Sequence, residues 1–172
     1  MGERAGRRHR REGFVATGAL LALHLSAGCS PGASPLAGPS AASVTEISME
    51  RDCFGCATGS LLVLRREGTA NYTITGKARH GTVDQQFRGV AREEDFDRLA
   101  RSVVSRGFFE LNDRYEDPEL RDGEWTSTTA DRDGRKKTVL HRNHAGPPNL
   151  EEIEKAIDAA RAAIDWVPAG GR

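Results

Sequence analysis

The chain has 172 residues, of which 37% are hydrophobic and 29% charged, a composition that suits one ordinary domain with appendages and is too apolar for complete disorder. The formal net charge of zero hides an asymmetry, because five arginines and two glutamates give residues 1–28 a net charge of +3. The rest of the chain is mildly acidic with scattered charges, which excludes the basic face that nucleic-acid binding needs.

The first 28 residues have the order of a secretory signal peptide. Residues 1–12 are rich in arginine, and residues 13–28 are apolar and small. The apolar stretch is shorter than the roughly 20 residues that a permanent transmembrane helix needs. We therefore expect residues 1–28 to be a signal peptide that is removed on export.

Cys29 follows directly, in the segment Leu25-Ser26-Ala27-Gly28-Cys29. This segment resembles a bacterial lipobox, in which the peptidase cuts before the cysteine and the cysteine sulfur carries a diacylglycerol. Ala27 and Gly28 fit the small positions, whereas Ser26 stands where the pattern prefers leucine. The resemblance implies a protein of the bacterial cell envelope, anchored through the lipid on Cys29 to a membrane and facing the periplasm. A soluble periplasmic or secreted product is the alternative.

A tether separates this cysteine from the domain. Residues 30–43 are serine, proline, glycine and alanine with one leucine, and they carry too little apolar area to fold. We thus assign residues 29–43 to the lipidated cysteine and a flexible linker. A single domain is expected over residues 44–167, and a tail over residues 168–172.

Four strands are predicted in the first half of the domain. Residues 44–50 place apolar side chains two apart, and residues 60–66 hold a short apolar run. Residues 69–75 and 82–90 alternate between apolar and polar side chains. The dipeptide Glu67-Gly68 supplies a turn between the second and third strands.

Helical spacing then predicts the first helix. Its apolar stripe recurs at intervals of three and four residues, at Phe96, Leu99, Ala100, Val103 and Val104. Residues 93–95 are acidic, as the positive end of the helix dipole favours, and Gly107 stands where a left-handed cap is expected.

A hairpin and a second helix complete the domain. Residues 125–131 and 135–142 flank Asp133-Gly134, a pair typical of type I′ turns. Asn149 and Glu152 form a capping-box pattern at the start of an amphipathic helix that ends before Pro168. The order ββββ-α-ββ-α predicts an α+β fold, with an antiparallel sheet covered on one face by two amphipathic helices.

Several short motifs recur in a recognisable order along this domain. They are residues 47–51 leading to Cys53-Phe54-Gly55, residues 107–111 with Tyr115, Asp122 before a Thr-rich strand, Asp133-Gly134, and Pro148 with Leu150 and Trp166. This order resembles the bacterial family known as domain of unknown function 6438 over nearly the whole mature domain. Its members are commonly exported or lipid-anchored, and no activity is established for them. The family usually reads Cys-aromatic-Gly-X-Cys, whereas Cys56 comes one place earlier, so the resemblance implies a cysteine pair with altered spacing.

Cys53 and Cys56 allow three interpretations. A redox dithiol would need the motif at a helix N-terminus, and here a strand-like run follows. A zinc site would add His141 and His144, with a short histidine spacing and a long gap to the cysteines. A structural disulfide suits an oxidising envelope, where a lipidated Cys29 leaves two cysteines to pair, and we favour this interpretation.

No other constellation predicts catalysis. We interpret His80, His141 and His144 as solvated loop histidines. The acidic residues between positions 113 and 122 are interpreted as a solvated loop, with an ion site as the alternative. We expect no catalytic residue, no metal and no cofactor. The leading hypothesis is a non-catalytic binding or interaction domain with an unidentified protein or small-molecule partner. The rival is a thiol-disulfide redox protein that uses Cys53 and Cys56.

Overall fold

The computed structural model describes residues 40–119 and 122–170. The first half contains β1 (Val44–Cys53), β2 (Thr58–Arg65), β3 (Thr69–Gly76), β4 (Gln85–Val90) and α1 (Glu93–Ser105). The second half contains β5 (Arg114–Tyr115), β6 (Glu124–Arg132), β7 (Arg135–Arg142), α2 (Pro148–Ala162) and β8 (Val167–Pro168). The predicted signal peptide and Cys29 lie outside the described residues.

The strands form one eight-stranded sheet in the order β5-β7-β6-β1-β2-β3-β4-β8. Every neighbouring pair is antiparallel except β5 and β7, which are parallel. The predicted order of four strands, helix, hairpin and helix is present, but the sequence analysis missed β5 and β8, and the sheet is mostly rather than entirely antiparallel. Each missed strand has two residues, too few to show an alternating pattern.

The Asp133-Gly134 turn between β6 and β7 agrees with its prediction. Both residues have positive φ, 55° and 74°, which a type I′ turn requires. Gly107 follows α1 with φ 72°, and its N–H donates to the Val104 carbonyl, as a left-handed C-terminal cap does.

The predicted capping box at Asn149 is wrong. α2 begins one residue earlier, at Pro148, and Pro147 before it makes no side-chain cap. Proline suits the first helical position because its fixed φ is helical and the missing N–H has no partner there. The Asn149 side chain instead donates to the Arg106 carbonyl at 2.8 Å, which ties α2 to the end of α1.

The hydrophobic core combines alternate strand positions with the apolar stripes of both helices. Its largest fully buried aliphatic and aromatic side chains are Phe96, Phe108, Ile47, Leu62, Leu64, Leu150, Ile153, Ile157, Val44, Val103 and Val139. Full burial of such a side chain contributes about 1.5–3 kcal/mol each through lost apolar exposure. Within residues 40–119 and 122–170, no helix combines the length and the apolarity that crossing a membrane requires.

The end of the predicted linker has local structure. Ala41–Ser43 forms a 3-10 turn, and the Ser40 hydroxyl caps it by accepting from the Ala42 N–H at 3.1 Å. The Arg66 guanidinium donates to the carbonyls of Ala41, at 2.8 Å, and Val44, at 2.7 Å. The first described residues are therefore fixed to the domain at the start of β1.

Candidate functional site

Four neighbouring strands place polar side chains in one row. Arg51 of β1 is opposite Ser60 of β2 on one side and Thr126 of β6 on the other, and Thr126 is opposite His141 of β7. Directly opposed residues on neighbouring strands share a face of the sheet. We call Ser60, Arg51, Thr126 and His141 the polar row.

Helix α2 lies over this row with a polar stripe of its own. Glu151, Glu154 and Asp158 are spaced i, i+3 and i+7, so they share one side of the helix. This stripe runs beside the apolar stripe that contains Ile153 and Ile157. One helix thus closes the core with one side and faces the polar row with the other.

The most buried polar contact joins this stripe to β6 and β7. His141 Nε2 lies 3.1 Å from Glu154 Oε1 and 3.0 Å from Oε2, and Thr128 Oγ1 donates to Oε1 at 3.0 Å. The His141 and Glu154 side chains are 5% and 8% exposed. Buried polar groups are stable only when hydrogen-bonded, and the carboxylate meets this condition with two partners.

The other nitrogen of the His141 ring has no such partner. Nδ1 is buried and makes no hydrogen bond to any described residue. Because Nε2 faces a carboxylate, it carries the proton in the neutral ring, and Nδ1 is then a bare acceptor. A buried acceptor without a donor costs about 1–3 kcal/mol, so this atom marks a place where a hydrogen-bond donor would stabilise the site.

Arg51 and Asp158 form a second bridge between sheet and helix. Arg51 Nη1 lies 2.9 Å from both carboxylate oxygens of Asp158. The two side chains are 38% and 35% exposed, so solvent screens the pair and its contribution to stability is about 0–1 kcal/mol. The pair also holds the Arg51 guanidinium against Asp158, so the positive charge of Arg51 is neutralised there.

The β1–β2 connection forms one rim of the site. Cys53 and Cys56 are joined by a disulfide with a Cα–Cα distance of 5.3 Å. Lys77 Nζ donates to the Cys53 carbonyl at 2.6 Å and to the Asp52 carboxylate, which fastens this connection to the end of β3. Phe54 at its tip is 67% exposed, with the Arg79 guanidinium 5.0 Å from its ring centroid.

The opposite rim follows β7. Asn143 and His144 both have positive φ, 48° and 58°, so the chain turns sharply after β7. His144 Nε2 lies 2.5 Å from Glu124 Oε1 at the start of β6, and its side chain is 74% exposed.

These groups line a cleft of about 780 Å³ between the sheet and α2. This volume falls in the range of small-molecule sites. The charged residues that line the cleft are five acids and two bases, namely Asp52, Glu124, Glu151, Glu154, Asp158, Arg51 and Lys155. The lining is therefore net acidic, even when both lining histidines are counted as cations. The pKa of Lys155 is raised, because Glu152 accepts a hydrogen bond from its ammonium and attracts its charge.

Some of the site residues predicted from the sequence line the cleft, and others do not. Cys53, Cys56, His141 and His144 all line the cleft. The interpretation of His141 as a solvated loop residue is wrong, since it lies in β7 and is 4% exposed. His80 and His144 are exposed. Among the described residues, no three histidine, cysteine, aspartate or glutamate side chains are placed to hold a metal ion, and the zinc interpretation gains no support.

The acidic segment after α1 is apart from the cleft. Tyr115 lies in β5, and neither it nor its acidic neighbours line the cleft. Glu116 lies outside any strand or helix and accepts from Arg114 at 2.8 Å and from Arg142 at 3.0 Å, so this loop residue is ion-paired. The hydrogen bond from Arg114 is the main reason that the pKa of Glu116 is lowered.

Sequence reasoning missed Arg51, Thr126, Glu151, Glu154 and Asp158. The acidic spacing i, i+3, i+7 in α2 was a usable signal, because it predicts a second polar side on a helix whose first side is buried. Thr126 and Arg51 gave no signal, since only the strand register brings them together.

A family model described as Domain of unknown function (DUF6438) matches residues 45–161, which include the cleft-lining strands and almost all of α2. No curated protein matches the chain.

Proposed function

We propose that this chain, which belongs to the family described as Domain of unknown function (DUF6438), is a non-catalytic binding domain of the bacterial cell envelope. The cleft between the polar row and α2 is its ligand site. The observation that carries the proposal is the convergence of buried polar groups on an open cleft, at an interface that is otherwise apolar.

The free-energy cost of the buried polar groups supports a binding role for the cleft. Burying Glu154 and His141 costs free energy that an apolar pair of the same volume would avoid. Concave sites with a few convergent polar groups are the usual form of small-molecule sites. We also infer that both helices cover the sheet face that carries Ile47 and Leu62, which makes α2 the roof of the cleft.

The location follows from the amino-terminal sequence. Arginines, a short apolar stretch and Cys29 in a lipobox-like segment support export and lipid attachment. We expect the Cys29→Ser variant to leave the membrane fraction and appear as a soluble periplasmic protein. Fractionation and mass spectrometry of the mature amino terminus measure this. Equal membrane association of variant and wild type would contradict the anchor.

A fragment screen tests the binding function. Two-dimensional 1H–15N spectra of the full chain, purified in detergent micelles, are recorded with small cations, anions and neutral polyols. We expect saturable shifts that cluster on Arg51, Thr126 and His141, and that the cavity-filling variant Ser60→Phe removes. The matched variant Val63→Phe, on the other face of β2, should retain them. Shifts scattered over the surface, or none, would overturn the proposal.

A thiol-disulfide redox protein is the second candidate, because Cys53 and Cys56 line the cleft beside an exposed Phe54. The pair closes a connection between two antiparallel strands and lacks the helix N-terminus that lowers a thiol pKa in redox enzymes. Insulin reduction and the equilibrium with glutathione separate the candidates. Turnover with a potential above about −250 mV would favour the enzyme, and a potential below about −300 mV would favour a structural bond.

A further inference from the structure

We propose that the cleft binds its ligand through an alkylammonium group. This inference rests on the binding function above and narrows it to one chemical class. Two independent observations lead to it, namely the charge of the cleft and the unpartnered nitrogen of His141.

The charge of the cleft favours a cation. Both basic residues that line it are already neutralised, Arg51 by Asp158 at 2.9 Å and Lys155 by Glu152 at 2.9 Å. Glu151, by contrast, has no ion pair or side-chain hydrogen bond to any described residue, and it is only partly exposed. A negatively charged ligand would meet carboxylates with no free cation to receive it.

In the neutral ring, His141 Nδ1 is an acceptor without a donor. The His141 side chain is 5% exposed and lines the cleft. A carboxylate or phosphate ligand offers only acceptors to this atom, whereas an ammonium group offers three N–H donors. The hydrogen bond and the charge therefore select the same chemistry.

The spacing of the acids suits a single ammonium group. Glu151 and Glu154 are one helical turn apart, which places their Cβ atoms about 5–6 Å from each other. One ammonium has three N–H donors, enough for two carboxylates and one imidazole nitrogen.

Two sources carry this group, a free small amine and the lysine side chain of a partner protein. The probes are therefore n-butylammonium, the isosteric butyrate and n-butanol, and a lysine residue with both ends blocked. Each is titrated into the full chain in detergent micelles, with 1H–15N spectra as the measurement. We expect n-butylammonium to shift Glu151, Glu154 and His141 saturably, and to bind at least about tenfold more tightly than butyrate or n-butanol. Tighter binding of the blocked lysine would assign the group to a partner protein, and tighter binding of n-butylammonium to a free amine.

Matched variants connect the binding to the named carboxylate. Glu151→Gln should weaken n-butylammonium binding at least about tenfold. Glu94→Gln, which changes an exposed first-turn glutamate of α1, should leave it within about twofold. Glu151 makes no ion pair or side-chain hydrogen bond to a described residue, so its variant should fold normally.

Three results would overturn the inference. Butyrate or n-butanol binding in the cleft as tightly as the amine would remove the charge preference and leave the binding function standing. Equal effects of Glu151→Gln and Glu94→Gln would remove the assignment to this site. Shifts with none of the probes would reject the ammonium group, while the fragment screen decides the binding function separately.

Discussion

Strands β1, β2 and β6 each contribute to two rows of side chains that differ in chemistry. Ile47 is opposite Leu64 and Ala130, and Leu64 is opposite Ala70, in a row whose members are at most 1% exposed. Four residues further along β1, the polar row lines an open cleft instead. The apolar row contributes to stability through burial, whereas the polar row borders the cleft.

The largest effect on the free energy of unfolding should come from shortening a side chain in the apolar row. We expect Ile47→Ala to lower the free energy of unfolding by about 2–5 kcal/mol, because it removes buried methyl groups and leaves a cavity. Ser60→Ala in the polar row should change it by less than about 0.5 kcal/mol. Urea denaturation measures both. A loss as large for Ser60→Ala would end the distinction between the two rows.

Replacing the buried Glu154 should have the next largest effect on the free energy of unfolding. We expect Glu154→Leu to lower the free energy of unfolding by about 1.5–3 kcal/mol, because His141 Nε2 and Thr128 Oγ1 lose a charged partner. The double variant Glu154→Leu with His141→Leu should recover part of this loss, since no unpaired buried group remains at position 141. Urea denaturation of the single and double variants gives the coupling. Strictly additive losses would show that the two side chains do not interact.

The disulfide at the cleft rim should contribute less. In the chain-entropy model, a disulfide that closes a loop this short stabilises the fold by about 2 kcal/mol. We expect the double variant Cys53→Ala with Cys56→Ala to be destabilised by at most this amount. Thermal unfolding with and without dithiothreitol checks the cause, since the reductant should destabilise the wild type and leave the variant unchanged.

A charge on the strand face away from the cleft should have the smallest effect. Burial acts to raise the pKa of Glu46, but hydrogen bonds and attraction from Lys136 and Arg65 lower it below its ordinary value of 4.5. A carboxylate with a lowered folded-state pKa stabilises the fold above its unfolded-state pKa, and this contribution disappears as the pH falls through the folded-state value. Glu46→Gln should therefore lower the free energy of unfolding by less than about 1 kcal/mol at pH 7.

Stability measured against pH tests this assignment. The difference between wild type and Glu46→Gln should shrink below pH 4.5 and vanish in stronger acid. Glu67→Gln, in the β2–β3 turn, removes a glutamate without an ion pair to any described residue and serves as the control. A constant difference across the pH range would contradict the role of the Glu46 charge.

The long elements of the fold could be predicted because each repeats its pattern several times. The stripe that begins at Phe96 and the Asp133-Gly134 turn are local signals, and the structure places both as predicted. β5 and β8 could not be predicted, because two residues show no period and depend on the neighbouring strand for pairing.

The cleft was predictable only in part. Val139 and His141 stand two apart in β7, so alternation with a buried valine could have predicted a buried histidine. The partner of that histidine depends on how α2 crosses the sheet, which the sequence does not encode locally. Arg51 and Thr126 are 75 positions apart in the chain and meet through strand register alone.

The turn at Ala41–Ser43 fixes where the described chain enters the domain. It fixes the incoming chain at the Val44 end of β1, whereas the cleft rim begins at the Cys53 end. Ten residues of extended strand separate the two ends by roughly 30 Å, at about 3.3 Å per residue. The point where the chain enters the domain and the rim of the cleft therefore lie at opposite ends of β1.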